Sequence, residues 1–392
     1  MLCCKPEEDP SQREKLLSPS KQILNEDIRK VDYWSVIPPP KTIPKGLEES
    51  FSRSESIEGQ LISLDSDYKI ELGNSNISLQ KNDLKLQFPS QANYFKSFFE
   101  GNSETRGGDT QLGWVLVSHK VSRNETFMII RDSYANEFHR ANGHLSMEEF
   151  LKKLNYPIEF SNLKVLEHNF LDLVKLDDMM AIQNYKFGIL FCDKDQTTEN
   201  EWLGNASGSD SFEKFLGIMG DKIELCGWPN YKAGLDVGET RASGKYSVYT
   251  TFLDHRIMFH VSTLLPQDLK NEQQVTKKRF IGNDIVVIIF KEEGAPIITK
   301  TRSQFNHIFI VVQEDPNNEN HYLVEVSRKT SVDIFTPLLP YPNSIHANML
   351  HDFICCKALN GEWACYRSKQ FKRRLTRARL SQFEEYITDH SN

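Results

Sequence analysis

Apolar positions in the second half of the chain alternate between short β-type runs and helical patterns. Residues 285–290, Ile-Val-Val-Ile-Ile-Phe, form a β-branched run that predicts a strand buried on both faces. Apolar residues recur at helical spacing over 211–219, which predicts an amphipathic helix. The runs at 187–191, 246–252 and 307–312 predict further strands. This alternation predicts an α/β fold in which a central mixed sheet is flanked by helices.

The region before residue 181 shows shorter apolar runs separated by polar turns. Residues 112–117 and 126–130 predict strands, and 93–99 spaces its aromatic residues as an amphipathic helix does. Ser146 and Glu149 have the spacing of a capping box, so another helix is expected to begin there. We therefore predict four parts: a disordered arm at 1–50, a smaller α/β domain at 51–180, the larger α/β domain at 181–375 and a tail at 376–392.

Composition and charge exclude several classes of function. The net charge of −7 gives no basic excess, so nucleic acid is not expected as a partner. No apolar run approaches the roughly 20 residues of a membrane span. The seven cysteines lack Cys-x-x-Cys spacing, which argues against a zinc site and for reduced thiols. We expect a cytoplasmic protein, with acylation of Cys3 and Cys4 as an optional route to peripheral membrane contact.

A cluster of polar residues stands directly before the 285–290 run. It consists of Lys277, Lys278, Arg279 and Phe280, followed by 282–284, Gly-Asn-Asp. Cations in a last turn with glycine after it are typical of a helix C-terminus. The start of a buried strand is also a place where polar side chains reach solvent or a partner. Composition favours the helix end, and that interpretation is compatible with a binding role.

Motifs of self-contained catalysis are absent from the sequence. It has no phosphate-binding Gly-x-x-x-x-Gly-Lys-Ser/Thr loop, no His-Glu-x-x-His and no Gly-x-Ser-x-Gly. His260 is interpreted as a hydrogen-bonded structural histidine rather than a catalytic base. Asp254 and His255 are interpreted as exposed polar residues at a hairpin turn. A free-standing hydrolase built on these side chains is therefore the least supported of the functions considered.

Several blocks of sequence occur in the order found in one known domain. They are the segment 277–284 and residues 185–191, 195–201, 234–236, 246–250, 257–263, 337–340 and 363–366. Together they resemble the Rap/Ran-GAP domain of Rap-type GTPase-activating proteins over roughly 180–375, and more loosely from 75. The sequence around Gly227, Trp228 and Tyr231 is most similar to the Rap/Ran-GAP domain-like proteins of animals.

This resemblance implies a GTPase-activating protein that acts on a Rap-like small GTPase in its GTP form. The family inserts an asparagine, the Asn thumb, in trans to position the attacking water, and motif alignment gives that role to Asn283. A carboxamide offers both a donor and an acceptor for such a task. Mg²⁺ and GTP belong to the partner, so no cofactor is expected for this chain. The resemblance further implies that the smaller domain mediates homodimerisation.

The remaining site residues follow from the same alignment. Lys277, Lys278 and Arg279 fall where the family's helix meets the GTPase, and cations there would steer encounter. Asp284 is expected to cap or orient the Asn283 loop. Phe280 departs from the family, because most members carry a GTPase-contacting histidine at this position. That departure motivates the alternative, a catalytically weak GTPase-binding scaffold that keeps the fold.

Overall fold

The computed structural model describes residues 28–30, 61–62, 67–71, 73–75, 77, 79–81, 84, 86, 94–133, 136–167, 169–180, 184–268, 273–296, 298 and 303–391. Apart from 28–30, the predicted arm at 1–50 lies outside them, as do Cys3 and Cys4. The described chain divides into two compact units. The smaller contains 28–30, 94–180 and 372–391, and the larger contains 61–86 and 184–371.

The smaller unit is built on an antiparallel sheet. Its strands are β1 (Ile28–Lys30), β3 (Glu104–Thr110), β4 (Gly113–Ser122), β5 (Glu125–Arg131), β6 (Asn136–Asn142) and β7 (Lys164–Val165), in the order β1-β6-β5-β4-β3-β7. Its helices are α1 (Tyr94–Phe98), α2 (Met147–Lys153), α3 (Phe170–Met180) and most of α8 (Lys369–His390). A 3-10 turn spans Phe160–Asn162. Ser146 and Glu149 form the predicted capping box of α2.

The C-terminal helix belongs to this unit's core and spans most of the predicted tail at 376–392. Phe383 and Ile387 of α8 are buried in a cluster with Phe95 and Leu116. Arg379 donates through Nε to the carbonyl of Asp132, 2.5 Å away. Leu380, Phe383 and Ile387 recur at spacings of three and four residues, which is typical of an amphipathic helix, and the structure shows which core that apolar side enters.

The larger unit contains a mixed nine-stranded sheet among the described residues. Its strands are β2 (Tyr68–Ile70), β8 (Asn184–Cys192), β9 (Asp221–Glu224), β10 (Tyr246–Phe252), β11 (His255–Val261), β12 (Val286–Lys291), β13 (Ile308–Glu314), β14 (His321–Lys329) and β15 (Ser344–His346). Its helices are α4 (Glu199–Gly204), α5 (Asp210–Met219), α6 (Val275–Ile281) and α7 (Ala347–Arg367). β2 pairs with β14, so part of the predicted range 51–180 lies in this unit.

The centre of the sheet is parallel and its margins are antiparallel. The order is β15-β14-β13-β12-β8-β11-β10-β9. β8 runs parallel to both β11 and β12, and β12 runs parallel to β13. Every residue of β12 is buried, which confirms the strand predicted from the apolar run. β10 and β11 form the predicted hairpin.

Alternating residues of β12 divide the core of the larger unit into two layers. Val286, Ile288 and Phe290 belong to a cluster that includes side chains of α5 and α7. Val287 and Ile289 belong to a second cluster with side chains of α4 and α6. Since neighbouring strand residues point to opposite faces, helices cover the sheet on both sides. The predicted class, a central mixed sheet flanked by helices, is confirmed.

Candidate functional site

The predicted helix end exists and is formed by α6. Gly282 follows the helix, and its N–H donates to the Lys278 carbonyl over 2.8 Å. Its φ of −66° is open to any residue, so conformational freedom does not explain the glycine. A Cβ at this position would lie 2.4 Å from the Lys278 oxygen, and this contact requires glycine. The chain then turns through Asn283 and Asp284 into β12.

A second glycine lets the end of α6 approach the sheet closely. Gly188 in β8 lies opposite His260 of β11 on one side and Val287 of β12 on the other. A Cβ there would come within 2.9 Å of Ile281 Cγ2 and 3.4 Å of Asp284 Oδ2. The missing side chain therefore opens the space across which His260 reaches Asp284.

Asp284 is the centre of a buried polar cluster. The Nδ1 atom of His260 lies 2.8 Å from Asp284 Oδ2, and Lys186 Nζ lies 3.0 Å from Oδ1. The same Lys186 Nζ donates to the Asn283 carbonyl over 3.1 Å. The other ring nitrogen of His260 faces the carbonyl of Ala233 at 3.0 Å. Both ring nitrogens thus face acceptors, which confirms His260 as a structural histidine.

The predicted site residues divide by exposure into two groups. Asn283 and Arg279 are exposed and Lys278 is half-buried, with its Nζ donating to Asn200 Oδ1 over 2.7 Å. Lys277, Phe280 and Asp284 are buried. In the free protein these three side chains offer little surface to a partner. Contact of Lys277 and Phe280 with a GTPase stays a prediction, as does the orienting role expected for Asp284.

Lys277 links α6 to the interior of the larger unit. Its side chain is fully buried and Nζ donates to the backbone carbonyl of Asn205 over 2.8 Å. The Asn205 side chain in turn donates to Phe191 O, at the end of β8, over 2.9 Å. Burial lowers the pKa of Lys277 to about 8. The charge complementarity inferred from the sequence is therefore secondary to this inward hydrogen bond.

Phe280 packs into the same interior. Its ring meets the His260 ring edge to face at 5.2 Å, and the Arg279 guanidinium lies over its outer side, 5.2 Å from the ring centroid. Such contacts are favourable beyond the area they bury. The aromatic residue thus supports both the buried histidine and the exposed arginine.

Residues 202–380, which include α6 and the Asn283 loop, match the Rap/ran-GAP family. The chain carries a Rap/ran-GAP domain. Similarity beyond that match is found in larger proteins.

A PH and Rap-GAP domain-containing protein of Dictyostelium discoideum is 33% identical over 365 residues, which cover 84% of this chain and 30% of that protein. Mouse signal-induced proliferation-associated 1-like protein 1 is 39% identical over 254 residues, which cover 62% of this chain and 14% of that protein. Human GTPase-activating Rap/Ran-GAP domain-like protein 3 is 42% identical over 212 residues, which cover 52% of this chain and 21% of that protein. The chain spans less than a third of each relative. A solved structure of the TSC2 GAP domain is 26% identical, covers 50% of this chain and 99% of its own, and has a TM-score of 0.40.

Two features near Asn283 in the Rap/ran-GAP domain escaped sequence reasoning. Lys186 is a cation inside the apolar run 185–191, an anomaly that signals a buried partner. Phe305 has 43% of its surface exposed. Its backbone N–H donates to Ser303 Oγ, which itself donates to the Gly282 carbonyl. An exposed aromatic side chain is therefore linked by two hydrogen bonds to the turn that carries Asn283.

A buried carboxyl group lies close to the Asp284 cluster. Burial is the main cause that raises the pKa of Glu362 in α7 to about 7; Tyr366 lowers it by donating to Oε1, and the charge of Asp284 raises it further. His255, predicted to be exposed, is instead buried and meets the Tyr185 ring edge to face at 5.5 Å. The turn assignment is confirmed, but the imidazole points into the core.

The described residues contain neither a candidate metal centre nor a membrane-spanning helix. No group of three or more His, Cys, Asp or Glu side chains there is arranged to hold a metal ion. Within the same part of the chain, no helix has the length and apolar character to cross a membrane.

Proposed function

We propose that this chain is a GTPase-activating protein that inserts Asn283 into the active site of a Rap-like small GTPase. One observation supports the proposal most directly: in the Rap/ran-GAP domain the exposed side chain of Asn283 lies two residues after the end of α6, a helix with buried residues on its inner side. The partner supplies GTP and Mg²⁺, and this chain supplies no cofactor.

The carboxamide suits the reaction because it both donates and accepts hydrogen bonds. In the free protein its Nδ2 donates to the Arg279 carbonyl over 2.7 Å. That bond folds the side chain back on its own helix, and rotation of the side chain releases it. At the nucleotide, the amide N–H would meet a phosphate oxygen while the amide oxygen orients the attacking water. A complete activating partner accelerates hydrolysis by about 10⁵.

Residues around Asn283 form a docking face, defined as Val275, Lys278, Arg279, Asn283 and Phe305. Val275 and Arg279 are four residues apart on α6 and therefore share one side of the helix. Val275 and Phe305 are exposed apolar side chains, whereas Arg279 is an exposed cation. Interfaces commonly combine a buried aromatic anchor with charged residues that steer encounter. The face therefore fits a partner that has acidic and apolar surface together.

Single-turnover GTP hydrolysis on a panel of Rap, Rheb, Ral and Ran proteins tests the proposal. We expect acceleration of a Rap-type GTPase by the wild type and loss of nearly all of it with Asn283→Ala. Asn317→Ala is the matched control, since Asn317 is also exposed but follows β13 at the end opposite to the Asn283 turn. Equal acceleration by the wild type and Asn283→Ala would refute the thumb assignment.

The alternative, a GTPase-binding scaffold, was motivated by Phe280 in place of the family histidine. Because Phe280 is buried against His260, the substitution changes internal packing beside the thumb. Binding of a GTPase without acceleration would establish the scaffold. The expected homodimer rests on the family resemblance, and sedimentation velocity of the same sample tests it.

A further inference from the structure

The turn that carries Asn283 is held through its backbone carbonyls. A helix end normally leaves its last carbonyl groups to water or to a capping motif. Here four consecutive carbonyl oxygens, from 281 to 284, each accept a hydrogen bond from a side chain. The donors are Asn306 Nδ2 to Ile281 O at 3.0 Å and to Asp284 O at 2.6 Å, Ser303 Oγ to Gly282 O at 2.6 Å, and Lys186 Nζ to Asn283 O at 3.1 Å.

Asn306 has a special place among these donors. Its amide nitrogen reaches carbonyls on both sides of Asn283, and the residue is 2% exposed. The following residues fix its position, since the N–H groups of His307 and Ile308 both donate to the Ile285 carbonyl. Asn306 is therefore anchored by the start of β13 and connects that strand to the turn. A neutral amide has two N–H donors, the number that this arrangement uses.

We propose that Asn306 is a positioning residue for the thumb, holding the backbone on both sides of Asn283 so that only the Asn283 side chain moves. This inference rests on the proposed function. Catalytic geometry is sensitive to small displacements, and a misplacement of about 1 Å can cost roughly 100-fold in rate. A supporting shell that fixes a catalytic side chain is the usual source of such accuracy.

The chemistry of the site requires an amide at 306. Aspartate would have nearly the same shape, but an ionised carboxylate cannot donate and would face two carbonyl oxygens. Leucine would fill a similar volume while leaving both carbonyls without this donor. Ser303 and Lys186 each hold one carbonyl, so neither replaces the connection across the turn.

The test compares Asn306→Leu with Asn360→Leu. Asn360, in α7, is a fair control because it is 1% exposed and its Nδ2 donates to the Thr336 carbonyl over 2.8 Å, in a different loop. For Asn306→Leu we expect the kcat of GTPase stimulation to fall about 100-fold with KM within about twofold. Amide exchange at 282–284 should accelerate in this variant. Asn360→Leu should change neither the kcat nor the exchange at 282–284, whatever its effect on Tm.

Ser303→Ala provides a milder variant if Asn306→Leu does not fold. It removes one carbonyl contact at a half-buried position, and we expect a smaller loss of kcat with the same faster exchange. Equal kcat loss in Asn306→Leu and Asn360→Leu, or unchanged exchange at 282–284, would overturn the inference. If Asn283→Ala retains full activity, the proposed function fails instead, while the exchange measurement still decides whether Asn306 holds the turn.

Discussion

Replacing Asp284 with asparagine removes a negative charge from a fully buried position while the side chain keeps its shape. The carboxylate faces Lys186 Nζ at 3.0 Å and His260 Nδ1 at 2.8 Å. The introduced carboxamide could still accept a hydrogen bond from one of them, but the ion pair would be lost. Asp284→Asn should therefore destabilise the larger unit. Because the side chain keeps its shape, the loss of stability reports on the charge alone.

The magnitude follows from distance and burial. Two unit charges 3 Å apart interact by roughly 5 kcal/mol at an effective dielectric constant near 20. Desolvation of the carboxylate offsets much of this, and the Lys186 side chain is 36% exposed and partly screened. We therefore expect Asp284→Asn to cost about 2–3 kcal/mol, of which about 1–2 kcal/mol is coupling to Lys186.

A double-mutant cycle with Lys186→Met measures that coupling. Urea unfolding followed by tryptophan fluorescence suits the larger unit, since three of the five tryptophans, Trp202, Trp228 and Trp363, lie in it. Asp315→Asn is the control: Asp315 is a buried carboxylate that accepts from Asn317 N–H at 2.9 Å in another loop. A coupling energy below about 0.3 kcal/mol would show that the pair acts independently and would refute the reasoning.

Three further predictions concern other residues of the larger unit. Glu362→Gln should flatten the dependence of folding stability on pH. In the folded wild type the Glu362 carboxyl keeps its proton up to a pKa of about 7, so the wild type loses stability as pH rises from about 4.5 to 7. Urea midpoints at several pH values check this, and identical pH profiles for the two proteins would contradict it. Lys277 gives the opposite slope, because burial lowers its pKa in the folded protein to about 8 from 10.5. In the same assay, wild-type stability should rise between about pH 8 and 10.5 relative to that of Lys277→Met. Parallel stability curves for the two proteins would count against a buried lysine. Phe305→Ala removes an exposed aromatic side chain from the docking face, so it should raise the KM for the GTP-bound GTPase about tenfold with kcat nearly unchanged. An unchanged KM in steady-state assays would show that Phe305 does not contact the GTPase.

Local patterns were sufficient for much of the larger unit. The run at 285–290 predicted the buried strand β12, since β-branched residues without polar interruption fit the interior of a parallel sheet. Cations followed by glycine predicted the end of α6, because capping is decided within one turn. The ordered family motifs predicted the domain that the comparisons found at 202–380. The assignment of Asn283 as the thumb stays a prediction.

The burial of individual side chains and their hydrogen-bond partners could not be predicted from local sequence patterns. In the larger unit the sequence by itself determined where segments such as α5, α6 and β12 form, because hydrophobic period and capping are local properties. In the sequence Lys277 has the pattern of a surface cation, but in the structure it is buried and its Nζ donates to the Asn205 carbonyl. Asp284 meets His260, 24 residues away, only because three parallel strands bring them together across Gly188. Tertiary structure alone decided these contacts and the hold of Asn306 on the Asn283 turn, since each depends on distant chain segments meeting in a low-dielectric interior.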